Sequence, residues 1–381
     1  MRVLHVITGL GVGGAEQQLR LLLRHQPAHC DVVTLTNAGT VAEGIVADGA
    51  ARVSDLGMSG NRDVAALPRL TKMIKGGQYD LVHTHLFRAC LYGRIAARLA
   101  GVRAVVATEH SLGETQMEGR RLTAGVRGLY LTGERLGRMT VAVSPAVGQR
   151  LRRWGVPQQR IRVVPNGIDV DRFRFAPDAR AQIRRQLGVP EGAFLVGGVG
   201  RLARGKRFDV LLRAVSQLPD DVMVLLVGAG EQEQELRGLA DRLALTDRVL
   251  FAGEAAHEDG PAAGRGPDLP SLLAAMDALA SPSPEEAFGL ALVEGLANGL
   301  PVVYTSCPAV EGLPLDRQTN AAHCPSDPDA FAQVLFRLRG QDLAHRAAAP
   351  AVRHYSITRS ADQLMDVYAS VVSGLTLKVS P

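Results

Sequence analysis

Lysine is almost missing from this chain. Only Lys72, Lys75, Lys206 and Lys378 occur, against 39 arginines. Arginine replaces lysine on most surfaces but not where a compact ammonium on a thin stem is needed, so each surviving lysine points weakly to a positional demand. Aromatic residues are also few, at 4%. That weakens the reading of a single-strand nucleic-acid binder, which needs stacking platforms, and no nucleic-acid partner is expected. The four cysteines (Cys30, Cys90, Cys307, Cys324) are scattered, with no spacing for a disulfide framework or zinc ribbon. Reduced thiols and a cytoplasmic location are expected. The longest apolar runs, such as Val222–Val227 and Leu19–Leu23, fall far short of the ~18 residues that span a bilayer. Val3–Thr8 runs straight into a glycine loop, with no small-residue cleavage site. It is read as a strand and not as a signal peptide.

Hydrophobic residues make up 46% of the 381, which excludes a disordered or fibrous chain. The net charge is a mild +5 but unevenly placed. From Phe87 to Arg162 there are 14 Arg, no Lys and 4 Glu. Such a stretch suits an anionic substrate, a membrane surface or nucleic acid, or is simply a solvated face.

Short β-rich runs alternate with helical ones throughout. Val3–Thr8, Val32–Thr36, Asp80–His85, Ala104–Thr108, Val141–Ser144 and Ile161–Val164 read as strands of a first series. Leu195–Val199, Val222–Val227, Val249–Phe251, Ala278–Ala280 and Val302–Tyr304 form a second. Strand–helix alternation implies parallel sheets covered on both faces. Two series imply two doubly wound α/β domains, with ligands at the C-terminal strand ends. The expected boundaries are 1–165 and 166–357, with a last amphipathic helix in 358–381. Ala255–Asp268, rich in Gly, Pro and Ala, reads as a surface loop.

Several motifs are partial. Gly9-Leu10-Gly11-Val12-Gly13-Gly14 satisfies GxGxxG after the first strand, but the second strand ends Leu35-Thr36-Asn37 without the acidic residue a dinucleotide ribose needs. A dinucleotide-dependent oxidoreductase using this 9–14 loop is therefore an alternative; the loop otherwise reads as a tight strand–helix turn or as an anion or sugar loop. Gly200-Arg201-Leu202-Ala203-Arg204-Gly205-Lys206 fits GxxxxGK, yet Arg207 stands where a P-loop needs a magnesium-binding hydroxyl. It reads as a cationic loop. Asp169-Val170-Asp171 fits DxD but follows a turn, Pro165–Ile168, and reads as turn and cap residues. His83 and His85 share one face of a strand. With His110 as the only visible third ligand, core or hydrogen-bonded histidines are expected in place of zinc.

The most informative stretch runs from Ser281 to Pro301. Glu286 and Glu294 lie eight apart, the first on a loop and the second inside the following helix. Phe288, Gly289 and Leu290 present free amides at that helix N-terminus, a natural phosphate site. One loop thus offers a carboxylate to a polyhydroxyl group, amides to phosphate and a second carboxylate to a diol, which fits a nucleotide sugar.

Here the chain resembles glycosyltransferase family 4, retaining enzymes of the GT-B fold. The resemblance rests on the E-x7-E pair Glu286 and Glu294 and on the loop from Gly200 to Lys206. Gly13-Gly14-Ala15-Glu16, Pro165-Asn166-Gly167-Ile168-Asp169 and Val227-Gly228-Ala229-Gly230 support it, although Ala287 stands where the family usually has glycine. The resemblance implies two Rossmann-like domains facing across a cleft, with the final helix crossing back onto the first. It implies that Arg201 and Lys206 neutralise the donor diphosphate, that Glu294 binds ribose, that Glu286 contacts the transferred sugar, and that His110 stands near the anomeric centre. His110, Arg201, Lys206 and Glu286 are the expected catalytic residues. Gly13, Gly14, Arg201, Lys206, Phe288, Gly289, Leu290 and Glu294 are the expected donor-binding set.

The expected activity is therefore transfer from a nucleotide-diphosphate sugar, a UDP-sugar foremost, to a lipid-linked, polysaccharide or small-molecule acceptor. No metal and no cofactor beyond the co-substrate are expected, because cations placed at the departing diphosphate stabilise its charge directly. A noncatalytic nucleotide-sugar sensor is a further alternative. The basic segment Met117–Arg138 pairs five arginines with Leu122, Val126, Leu129, Tyr130 and Leu136, and suits peripheral contact with an anionic inner membrane face.

Overall fold

The computed structural model describes residues 1–60, 63–118, 120–255, 266–313, 320–341 and 346–376. Most of the loop expected over Ala255–Asp268 lies outside these residues, as does Lys378. The chain divides into two compact units. The first comprises Met1–Gly167 together with the last helix, Ile357–Thr376; the second is built from residues between Ile168 and Ser356.

The strands in chain order are β1 (Arg2–Ile7), β2 (His29–Thr34), β3 (Arg52–Asp55), β4 (Leu81–His85) and β5 (Val105–Glu109). Then come β6 (Gln116–Met117), β7 (Arg120–Arg121), β8 (Met139–Ala142) and β9 (Ile161–Val163). The second unit holds β10 (Phe194–Val199), β11 (Val222–Val227), β12 (Val249–Gly253), β13 (Ala278–Ser281), β14 (Val302–Tyr304) and β15 (Ala321–His323).

In the first unit seven strands form one sheet in the order β3-β2-β1-β4-β5-β8-β9, every pairing parallel. Its strands are buried on both faces, which explains their nearly unbroken apolar runs. Val3 and Ile7 of β1 face a layer with Leu19, Ile45, Leu364 and Tyr368, whereas Leu4 and Val6 face Leu70, Ile74 and Ala96. The helices Gly14–His25 and Ile357–Thr376 thus cover one face, and Ala66–Gly77 and Phe87–Leu99 the other. β6 and β7 make a separate two-stranded antiparallel ribbon.

The second unit has six parallel strands in the order β12-β11-β10-β13-β14-β15. In both sheets the chain winds outward one way from a central strand and later returns to its other side. The reversal falls between β1 and β4 in the first unit and between β10 and β13 in the second. At such a switch point the two flanking helices diverge and leave a crevice at the carboxyl strand ends.

Candidate active site

The switch point of the second unit gathers most of the expected residues. Beyond β10 the chain from Gly200 lies along the segment that follows β11, because Gly200 N–H donates to the Val227 carbonyl and Leu202 N–H to that of Ala229, both at 2.9 Å. Gly228, at φ 134°, makes that approach possible: a methyl group there would overlap the Gly200 carbonyl oxygen. Leu202 is fully buried and anchors the loop. Arg201 beside it is exposed, with no side-chain partner among the described residues. A 3₁₀ turn over Arg204–Lys206 then sends Lys206 toward the loop after β13.

Lys206 Nζ donates to Glu286 Oε1 at 2.5 Å. The two residues are 80 positions apart and follow the two strands that flank the switch point. The loops are joined a second time by Ser283, whose hydroxyl lies 3.1 Å from the Gly205 carbonyl and 3.0 Å from that of Glu285. Sequence reasoning did not single out Ser283. Its only signal was a hydroxyl between two prolines, Pro282 and Pro284.

Gly289 initiates the helix Leu290–Ala297 in the left-handed region, at φ 99°. A side chain there would be strained, and its Cβ would overlap Cys307 Sγ. Phe288 turns inward and packs edge-on against Tyr355, with ring centroids 5.1 Å apart. Phe288 therefore offers the solvent side its backbone only. The amides of Gly289 and Leu290 have no backbone acceptor among the described residues, so the orphan donors of the helix start remain available to an anion.

Glu294 lies one turn into that helix. Burial raises its carboxyl to about 7, with the Arg172 guanidinium pulling the other way. Its carboxylate accepts no hydrogen bond among the described residues. The DxD aspartates nearby are committed locally: Asp169 accepts from the Arg172 amide at 3.3 Å, and Asp171 pairs with Arg174 at 2.7 Å.

His110 belongs to the first unit and follows β5. It is 9% exposed, and its Nδ1 has no partner among the described residues. Burial lowers its ring to about 4, so it is neutral at pH 7. Its Nε2 lies 3.1 Å from His85 Nδ1. His85 Nε2 in turn lies 3.0 Å from His5 Nδ1. His83 stands beside them, held between the Tyr368 hydroxyl at 2.6 Å and the Thr108 hydroxyl at 2.7 Å. The third histidine beside His83 and His85 is thus His5, brought there by the parallel pairing of β1 with β4, which sets His5 against His83. Ring nitrogens of these three lie within 4.8 Å of one another. A metal ion could use that spacing only by breaking the hydrogen bonds just described.

Gly13 and Gly14 start the first helix of the first unit. A methyl group at Gly13 would overlap the Glu16 carboxylate, and one at Gly9 the Asn37 carboxamide. The loop therefore presents a carboxylate and an amide oxygen as well as backbone donors, a set suited to hydroxyl groups more than to bare phosphate.

The segment Met117–Arg138 corrects one expectation. Tyr130 is buried against Trp154 and the Arg94 guanidinium, and Arg127 donates to the Trp154 carbonyl at 2.9 Å. Both were expected on a membrane-facing strip; Tyr130 is instead buried inside the unit, whereas Arg127 stays exposed. Leu129 remains exposed. Among the described residues, no helix is long and apolar enough to cross a membrane.

Residues 12–172 match the model of Glycosyltransferase Family 4, and residues 193–341 that of Glycosyl transferases group 1. The chain is 32% identical over 338 residues to a D-inositol 3-phosphate glycosyltransferase of Salinispora tropica, covering 81% of this chain and 67% of that one. It is 30% identical over 335 residues to the enzyme of the same name from Saccharomonospora viridis, covering 80% and 74%. A UDP-Gal:alpha-D-GlcNAc-diphosphoundecaprenol alpha-1,3-galactosyltransferase of Escherichia coli is 26% identical over 323 residues, covering 82% and 80%. Among solved structures, Anabaena HepE in complex with UDP and glucose superposes with a TM-score of 0.84 at 23% identity, covering 97% of this chain and all of that one. WaaG, a glycosyltransferase involved in lipopolysaccharide biosynthesis, gives 0.71 at 19%, covering 98% and 100%. The fold is GT-B, as the two parallel sheets and these structures agree.

Proposed function

The chain belongs to glycosyltransferase family 4, and we propose that it is a retaining, metal-independent enzyme that moves a sugar from a UDP-sugar to a small phosphorylated polyol. In the reaction the bond from the anomeric carbon to the diphosphate oxygen breaks. A bond from that carbon to an acceptor hydroxyl oxygen forms, and the hydroxyl proton passes to the departing diphosphate oxygen. The observation that carries the reading is the meeting of Lys206 with Glu286 at the second sheet's switch point. A cation and a carboxylate there are side by side, as the diphosphate and the sugar it leaves are.

Arg201 and Lys206 meet the charge that grows on the departing diphosphate, together with the Gly289 and Leu290 amides. Preorganised cations and dipoles act most strongly on charge that develops in the transition state. Lys206 then exchanges its bond to Glu286 for one to phosphate, and Glu286 is released to accept from a sugar hydroxyl. Glu294 accepts from the ribose diol. His110, in the first unit, accepts from a hydroxyl of the sugar in transfer.

The acceptor follows the relatives that act on D-inositol 3-phosphate. The arginine-rich stretch from Phe87 to Arg162 supports an anionic acceptor. A lipid-linked diphosphate is the second reading, favoured by the galactosyltransferase relative. A thermal-shift screen of nucleotide sugars identifies the donor, since a ligand at 100 times its Kd stabilises by about 2.7 kcal/mol. Transfer assays with inositol 3-phosphate and with a polyprenyl diphosphate sugar, each with and without EDTA, separate the acceptors. Loss of all activity in EDTA, restored by a divalent ion, would refute the metal-free reading.

A further inference from the structure

The three histidines His5, His85 and His110 form one continuous buried chain across β1, β4 and the end of β5. The junctions are His5 Nδ1 to His85 Nε2, at 3.0 Å, and His85 Nδ1 to His110 Nε2, at 3.1 Å. Each junction needs one proton and one lone pair. A neutral ring carries a single N–H, so His85 donates at one junction and accepts at the other. Only two neutral arrangements satisfy both junctions. In one, every proton sits on Nε2: His110 donates to His85, His85 donates to His5, and His110 Nδ1 is a bare lone pair. In the other every proton sits on Nδ1, and His110 Nδ1 is a donor. The tautomer of His110 is therefore coupled to that of His5 at the far end of the chain.

That far end is His5 Nε2, which is buried and makes no well-formed hydrogen bond. The Gln26 carboxamide bears on this ring and favours its protonated form, against the larger effect of burial. Its oxygen also receives the Cys30 thiol at 3.6 Å. A carboxamide can turn either its oxygen or its amide to that end, so the choice between the two arrangements falls to His110: an Nδ1 that accepts from a hydroxyl, as in the function proposed above, requires every proton on Nε2. Burial keeps all three rings neutral at pH 7: it lowers His5 to about 3 and His110 to about 4, and His85 well below its ordinary value. His83 takes no part, because both its nitrogens are held by Tyr368 and Thr108. His110 Nδ1 is the other end of the chain and has no partner among the described residues.

We propose that His5 and His85 are positioning residues that hold His110 with its proton on Nε2 and its Nδ1 lone pair turned to a substrate hydroxyl. The proposal rests on the reading of His110 given above. It adds a reason for two buried polar residues in an apolar core: they carry no substrate contact but decide whether His110 accepts or donates. A neutral His110 with its proton on Nδ1 would offer a donor to that hydroxyl and leave its oxygen, not its proton, engaged.

The test uses the full-length protein with isotope-labelled histidine. Long-range ring nitrogen–proton correlations distinguish Nδ1–H from Nε2–H. In the wild type His110, His85 and His5 should all show Nε2–H. His5→Leu removes the acceptor for His85 Nε2–H. An unpaired buried donor is tolerated less well than an unpaired acceptor, so the remaining pair should flip and His110 should show Nδ1–H. In the same variant kcat should fall about ten- to a hundred-fold, the usual cost of losing the partner that orients a functional histidine. The donor KM should change less than about two-fold, since His5 touches no substrate. His5→Asn puts an oxygen near the lost Nδ1 and should restore both the His110 tautomer and most of the rate. If His5→Leu fails to fold, the wild-type spectrum and His5→Asn decide alone. Nδ1–H on His110 in the wild type would overturn the proposal, as would a His5→Leu protein with unchanged tautomer and rate. One equivalent of tightly bound metal in the purified protein would also overturn it, because the nitrogens would then be ligands. A His110→Ala enzyme that transfers sugar at the wild-type rate, beside the expected tautomers, would instead remove His110 from the reaction and leave the chain standing.

Discussion

Glu294 gives the sharpest test of the donor site. Burial holds its carboxyl at about 7 against the pull of Arg172, so near pH 7 the group is about half ionised. If the ribose diol donates to it, only the ionised form serves, and donor binding must expel the proton. Affinity should then fall as the pH drops through 7. With a carboxyl at 7, the ionised fraction goes from about nine-tenths at pH 8 to about one-tenth at pH 6, so Kd should rise about ten-fold. Glu294→Gln keeps the shape but loses the charge. A charge-assisted bond is worth about 1.5–3 kcal/mol, so its Kd at pH 8 should be at least ten-fold weaker and should no longer depend on pH in this window. Calorimetric titration with a UDP-sugar is the assay, since its diphosphate, unlike that of UDP, has no terminal phosphate titrating between pH 6 and 8. Repeating it in two buffers of different ionisation enthalpy reads the released proton directly. A flat wild-type profile, or a folded Glu294→Gln protein with wild-type affinity, would take Glu294 out of the ribose site.

The other predictions concern charge, strain and burial. Lys206→Ala should lower turnover by orders of magnitude, beyond any loss of donor affinity, and Lys206→Arg should be impaired because the guanidinium fork is wider than an ammonium; steady-state kinetics with normal turnover in Lys206→Arg would end the positional argument. Gly289→Ala should destabilise by about 1–3 kcal/mol, through the left-handed backbone and the overlap with Cys307, and an unchanged Tm would count against it. Glu109 is raised by burial to about 7, above its unfolded value of about 4.3. A raised carboxyl favours the folded state at low pH and costs stability as the pH climbs to the folded value, so urea unfolding should lose about 1 kcal/mol between pH 6 and 8 from this group. Glu109→Gln should remove that slope, and a variant with the same slope as the wild type would show that the carboxyl titrates elsewhere.

The strands most legible in the sequence are those with unbroken apolar runs, such as Val222–Val227, because burial on both faces demands them. β3 was not legible: Arg52-Val53-Ser54-Asp55 is a largely exposed edge with no apolar signal. β15 escaped notice as well, since Ala321–His323 is three residues of weak β preference. In the candidate site, the spacing of Glu286 and Glu294 was readable because helix geometry acts over a few residues. The bond between Lys206 and Glu286 was not, since only the order of strands puts those loops together. His5 was missed for the same reason. Its one trace was a histidine at the centre of the apolar run Val3–Ile7, a place where an unpartnered imidazole would be costly.

Tyr368 reaches back 285 positions to His83, and this sets an order of events during synthesis. The helix Ile357–Thr376 covers the face of the first sheet that carries Val3 and Ile7. The ribosome makes that sheet first and its cover last. At about 5–20 residues per second, the residues between Ile168 and Ser356 take roughly 10–40 s to appear, and for that interval the histidine-bearing face has no final helix. The second unit is uninterrupted by this return and can fold meanwhile. The first unit to leave the ribosome is therefore the last to be finished, and a nascent chain stalled before Ile357 exposes an apolar sheet face that a chaperone would recognise.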